Sequence, residues 1–135
     1  MNKLTFLYDC RRFDPEDEAS PVCIRVRLTV TDQAGNTRTS LEALKHLRRF
    51  ARGGMHWGRA SGGCRDLAYS ILSDFALRMR FKHVARLVEN AHLDFMQEVL
   101  AVHTCKHLLL TDAAIVQWLE YRRAGATPLE LFDRC

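Results

Sequence analysis

Long apolar runs are missing from this sequence. Stretches such as Leu108-Leu109-Leu110 fall far below the roughly 18 consecutive apolar residues that a membrane helix requires. The opening stretch, MNKLTFLYDCRRF, has no signal-peptide core, because Asp9, Arg11 and Arg12 interrupt it. Both absences predict a cytoplasmic protein with no membrane contact. Paired cysteines are missing too. Cys10, Cys23, Cys64, Cys105 and Cys135 are odd in number and include no C-x-x-C. They read as free thiols of a reducing compartment, not as a disulfide framework. There is no G-x-x-x-x-G-K-[ST] loop, no G-x-G-x-x-G and no nucleophile elbow. Nor is there a helix-turn-helix, zinc-finger or RNP-like aromatic signature. Internal repeats and low-complexity segments are absent.

What is present suits one globular domain. The chain has 135 residues, of which 47% are hydrophobic and 27% charged, enough to bury about two-thirds of its unfolded surface. Twenty Lys plus Arg against sixteen Asp plus Glu give a formal net charge of +4. Most of the cations lie in the body of the chain, so nucleic acid or an acidic protein surface is the natural partner class.

Leu4–Tyr8 reads as a strand, followed by an acidic loop, Asp14-Pro15-Glu16-Asp17-Glu18, with a second proline break at Pro21. Val22, Ile24, Val26, Leu28 and Val30 alternate with Cys23, Arg25, Arg27 and Thr29. That period of two predicts a strand with one buried face and one arginine-bearing face. Asp32–Asn36 is a turn. Thr39-Ser-Leu-Glu42 has the form of a capping box, so a helix is expected over 40–52, stopped by Gly53-Gly54. A short strand is expected at 55–58, and helices across 64–135. The first has its apolar face at Leu67, Ala68, Ile71, Leu72, Phe75 and Met79. Further helical patterns run over Val84–Val88 and Leu93–Leu100, the second of which can continue the first. Thr111 is the expected N-cap of a helix carrying Ile115, Trp118, Leu119 and Arg122, and Thr127-Pro128-Leu129-Glu130 opens another. The expected architecture is a single α+β domain over 1–135. In it, a small antiparallel sheet of two or three strands packs against four or five helices, with Trp57, Ile71, Leu72, Phe75, Phe95, Val99, Ile115 and Trp118 in the core.

Gly54, Met55, Trp57, Gly58, Ser61, Gly62, Leu67, Ala68, Ile71 and Leu72 match or nearly match a hallmark close to G-F-x-W-G-Y-x-G-S-G-P-x-x-L-A-L-x-I-L. On these residues the chain resembles a family of small uncharacterised proteins of phages and bacterial mobile elements. Phe95–Leu119 is similar to that family's closing pattern of helix, short apolar turn and capped helix. The resemblance spans Leu41–Leu119 and implies a fold and a phage or mobile-element origin, not a mechanism. Two residues depart from it: Arg59 stands in place of the usual tyrosine and Gly63 in place of the usual proline.

Ser61-Gly62-Gly63 admits two readings. A glycine turn before a helix N-terminus can hold an anion, with Arg59 and Arg65 adding charge. The favoured reading is structural, a tight turn from Trp57 and Gly58 into a helix, in which Asp66 complements the dipole from within. His103, Cys105 and His107 cannot all converge on one helical face, so no metal or other cofactor is expected, and the histidines read as surface or helix-end residues. Ser61 or Cys64 beside His56 or His92 could be drawn as a nucleophile and base, but no local signature supports catalysis. Glu89, Asp94 and Glu98 read as a solvated helix face.

Two cationic clusters stand out: Lys45, Arg48, Arg49 and Arg52, and then Arg78, Arg80, Lys82 and Arg86. Together with Arg25, Arg27, Arg59 and Arg65 they are the candidate binding residues. The favoured expectation is a non-enzymatic protein-binding module, with a host protein or complex as partner and inhibition of a host defence complex as its role. The alternative is DNA or RNA binding through the basic helical clusters.

Overall fold

The computed structural model describes residues 2–14, 21–51 and 53–123. Four strands form one antiparallel sheet. They are β1 (Lys3–Arg12), β2 (Val22–Thr31), β3 (Thr37–Ala43) and β4 (His107–Thr111), in the spatial order β3-β2-β1-β4. Three helices complete the fold: α1 (Gly62–Arg78), α2 (Val84–Phe95) and α3 (Asp112–Arg123). The α+β class stands, with four strands where two or three were expected and three α-helices among the described residues.

The alternation read in β2 is realised. Ile24, Val26 and Leu28 are buried while Cys23 and Arg25 are exposed. β1 runs beyond the expected Leu4–Tyr8 and lays Phe6, Tyr8 and Cys10 against Leu28, Val26 and Ile24 on the same inward face. Leu108 and Leu110 of β4 continue that face. The inward side chains meet α1 directly. Phe75 packs on Phe6 at 5.9 Å between ring centroids, and the Tyr8 hydroxyl donates to Asp74 at 2.7 Å. All eight expected core residues are buried, and Phe95 meets Trp118 edge to face at 5.1 Å.

Three expected elements are replaced. The helix over 40–52 does not form. Asp32 accepts from the backbone N–H of Ala34 and Asn36, both at 2.9 Å, and Gly35 takes φ +86. This hairpin turn returns the chain alongside β2, so Thr37–Ala43 pairs from Thr31 to Arg25. The ladder to β2 outweighs the local preference of the Thr39–Glu42 box, and the two threonines suit a strand equally well. Residues 44–51 and 53–56 then form a strap without regular secondary structure, and the strand expected at 55–58 is absent. In the third case, the apolar turn at Leu108–Leu110 is strand β4; in five residues, alternation and a helix-breaking turn look alike. The two patterns over 84–100 form one continuous element, because α2 passes directly into a π-helical turn at Met96–Leu100. The Thr111 cap is present, its hydroxyl accepting from Ala114 N–H at 3.2 Å. The final expected helix at Thr127–Glu130 lies outside the described residues.

Candidate functional site

Among the described residues the helices pack on one face of the sheet, and the other is open. The strand registers order its side chains in rows: Thr111, Leu7, Arg27 and Leu41; then Leu109, Asp9, Arg25 and Ala43; then His107, Arg11 and Cys23. Leu41 and Leu109 are about half exposed, at 52% and 42%. Asp9 sits at the centre, only 6% exposed, because its neighbours close over it. Its carboxylate accepts from Arg27 at 2.8 Å, from Arg11 at 3.1 and 3.3 Å, and from His107 at 2.7 Å. Burial alone would push the Asp9 carboxyl up, but the hydrogen bonds from Arg11 and His107 outweigh it and hold it below the ordinary carboxylate value. One carboxylate thus organises two arginines and a histidine, and with Arg25 beside them the face keeps a net positive charge.

Arg25 and Arg27 therefore share one surface, as expected. Asp9, Arg11, His107, Leu7, Leu41 and Leu109 join them from three other stretches of sequence. Only the Phe6-Tyr8-Cys10 alternation, carried past Tyr8, could have signalled Asp9 and Arg11 in advance.

The glycine loop is closed, not open. Ser61 caps α1, its hydroxyl accepting from Cys64 N–H at 3.2 Å and its carbonyl from Arg65 N–H at 2.9 Å. The strap lies across the helix start. His56 N–H donates to Gly63 O at 3.1 Å, and a Cβ on Gly62 would come within 2.4 Å of the Ala51 Cβ. On Gly63 a Cβ would approach Gly54 O to 2.6 Å. Close approach of the strap, not positive φ, explains these two glycines. The left-handed glycine of the motif is Gly58, at φ +98. A Cβ there would meet the Arg12 guanidinium at 3.0 Å and His103 O at 3.2 Å. Trp57 is fully buried, its indole N–H donating to Cys105 O at 3.0 Å. The Arg12 guanidinium stacks on that ring at 4.5 Å and donates to the carbonyls of Trp57 and Cys105. Burial and the nearby Arg59 lower the Arg12 pKa. Trp57-Gly58 is thus the seat of a buried arginine from the end of β1, a role that nothing local in the sequence signals.

The cations divide by task. Arg48 pairs with Glu89 of α2 at 2.6 Å, and Arg78 bridges Asp74 and Glu42 at 2.7 and 2.8 Å. Arg65 covers the Phe50 ring at 3.7 Å and donates to His92 at 3.0 Å. These three are fasteners of the strap, sheet and helices. Lys45 and Arg49 are exposed on the strap, and Arg80, Lys82 and Arg86 surround the α1–α2 turn, so the structure does not gather the expected clusters into one patch. Arg59 is exposed beside the motif, and Arg52 lies outside the described residues.

Asp66 is fully buried and binds the strap instead of serving only the helix dipole: it accepts from Phe50 N–H at 2.5 Å and His46 Nε2 at 2.9 Å. The expected solvated carboxylates also make ties. Asp94 holds Arg122 at 3.0 Å, and Glu98 accepts from the Trp118 indole at 2.9 Å.

His103 is buried at the end of the helical segment, its Nδ1 bonded to Val99 O, while His107 belongs to the Asp9 cluster; of the expected surface or helix-end histidines, His103 is a helix-end residue and not a surface one. Cys105 is disulfide-bonded, whereas Cys10, Cys23 and Cys64 are free. The all-thiol reading holds for Cys10, Cys23 and Cys64 and is corrected at Cys105. Burial pushes the Cys64 thiol up to about 12, so it is held protonated at neutral pH. Among the described residues no group of three or more His, Cys, Asp or Glu could hold a metal ion. No described helix is long and apolar enough to cross a membrane.

A model of a family of unknown function (DUF6166) matches residues 25–121. No curated protein and no solved structure matches the chain.

Proposed function

We propose, from the premise that this chain belongs to the family of unknown function DUF6166, that it is a non-enzymatic binding protein whose open sheet face grips an acidic protein surface. The observation that carries this reading is the composition of that face: Arg11, Arg25 and Arg27 around the single carboxylate of Asp9, bordered by Leu7, Leu41 and Leu109. Oriented guanidinium groups at the centre suit the carboxylates of an acidic partner, and the bordering leucines add apolar area to the contact. The resemblance to phage and mobile-element proteins supports a partner in the host cytoplasm, with a defence complex as the target class.

Capture from bacterial lysate, with and without nuclease, tests this. The double variant Arg25→Gln/Arg27→Gln leaves Asp9 its bonds to Arg11 and His107. Expected is a protein complex retained after nuclease by the natural chain, with affinity reduced on the order of tenfold in the double variant, about 1.4 kcal/mol. Capture that vanishes on nuclease treatment, falls steeply with salt, and is lost in Arg80→Gln/Lys82→Gln/Arg86→Gln would overturn it in favour of nucleic-acid binding through the α1–α2 turn.

A further inference from the structure

Strand β3 is an open edge. Its outer backbone pairs with nothing among the described residues, and all seven of its residues, Thr37–Ala43, are exposed. It holds no proline and no glycine. Such an edge presents a row of free N–H and C=O groups that recruits another strand.

The ladder to β2 decides which groups point outward. Leu44 N–H donates to Ile24 O, and Asp32 N–H to Asn36 O. By the alternation of an antiparallel ladder, the partners of Val26, Leu28 and Val30 (Glu42, Ser40 and Arg38) direct their backbone groups to β2. Thr37, Thr39, Leu41 and Ala43 direct theirs to solvent. Arg38, Ser40 and Glu42 share the helix-bearing face, where Glu42 already meets Arg78 of α1.

We infer that β3 pairs antiparallel with β3 of a second copy of this chain, about a two-fold axis at Ser40. In that register Thr39 and Leu41 of one copy exchange backbone hydrogen bonds with Leu41 and Thr39 of the other, and Thr37 does so with Ala43. Arg38 of each copy stands opposite Glu42 of its partner, as a close, non-hydrogen-bonded cross-strand pair. Ser40 meets Ser40, small enough for close approach at the axis. Each half-exposed Leu41 is covered in part by the facing Thr39.

The charges select both partner and register. Moving the axis to Thr39 sets Arg38 opposite Ser40, and moving it to Leu41 sets Glu42 opposite Ser40; either leaves both charges unmatched. The same two charges therefore discourage pairing with arbitrary strands and accept this one. The interface is isologous and closes at two copies. The resulting sheet has eight strands, with both helical layers on one side and the two cationic faces joined on the other.

The test is molar mass in solution by sedimentation equilibrium or light scattering at micromolar concentration, in reductant so that Cys23 makes no cross-link. The natural chain should give twice the 15.6 kDa chain mass. Thr39→Pro removes an outward N–H that the β2 ladder does not use, and should return the mass to that of one chain with the circular dichroism spectrum unchanged. Arg38→Glu, which sets like charges opposite each other twice, should weaken the dimer at least tenfold. A natural chain of single mass overturns the inference. So does a double mass that persists in both folded variants, which would place the contact elsewhere.

Discussion

Arg12 shows how far one side chain reaches in this protein. It leaves the end of β1, stacks on the indole of Trp57, and gives its N–H groups to two carbonyls from distant segments. Gly58 is the residue that makes room for it. At φ +98 an L side chain is already strained, and an added Cβ would press on the guanidinium and on a backbone oxygen. Gly58→Ala is therefore expected to cost about 1–3 kcal/mol in denaturant unfolding. Gly35→Ala, at φ +86 in an open turn with nothing within 4 Å, should cost less. Equal losses at the two positions would show that backbone strain alone matters and that the packing against Arg12 contributes nothing. The Trp-Gly step is visible in the sequence; its partner is not, because Arg12 lies 45 positions away and carries no local mark of burial.

The strap over 44–51 and 53–56 is the element that joins the sheet to the helices. Without a ladder of its own, it satisfies its backbone on α1. Asp66 takes Phe50 N–H and His46, Ser70 takes Leu47 N–H at 3.2 Å, and Gly63 O takes His56 N–H. Phe50 then lies between cations and rings, with Arg65 above it and His92 stacked at 5.5 Å. Asp66→Ala removes the acceptor of two of these bonds and leaves buried donors unpaired, an expected cost of about 1–3 kcal/mol. The loss should be local as well as global, so limited proteolysis of the variant should cut first within 44–56. Uniform protection of that stretch would refute the role given to Asp66. Helical spacing at Leu41, Leu44, Leu47 and Phe50 is genuine in the sequence, yet it describes a strand end followed by a strap. A period near three serves both until the hairpin has committed Thr37–Ala43 to β2.

Across the molecule, Asp9 ties β1, β2 and β4 through Arg11, Arg27 and His107. Its pKa is depressed in the folded state, so between the folded and unfolded values the unfolded chain binds more protons. The stability this provides is complete above the unfolded value of about 3.9 and is lost as pH falls through the folded one. Unfolding free energy measured by denaturant titration should decline on acidification below about pH 4, and Asp9→Asn should flatten that decline while lowering stability at neutral pH. An acid slope identical in the variant would assign the loss to other carboxylates. The same carboxylate holds the arginines in place for a partner, so fold stability and the presentation of the open face depend on one residue.

The sequence by itself determined the α+β class, the two faces of β2, the turn at Ser61–Gly63 into a helix, the cap at Thr111, and every one of the eight core positions it pointed to. These follow from period, cap chemistry and hydrophobicity, which act over a few neighbouring residues. Tertiary structure alone decided that Thr39–Glu42 and Leu108–Leu110 are strands at the two edges of one sheet. It alone assembled Asp9, Arg11, Arg25, Arg27 and His107 on one surface and put Arg12 beneath Gly58. Each of those outcomes rests on a hydrogen bond or contact between residues far apart in the chain, and short-range propensity is too weak to oppose the pairing and burial that such contacts bring.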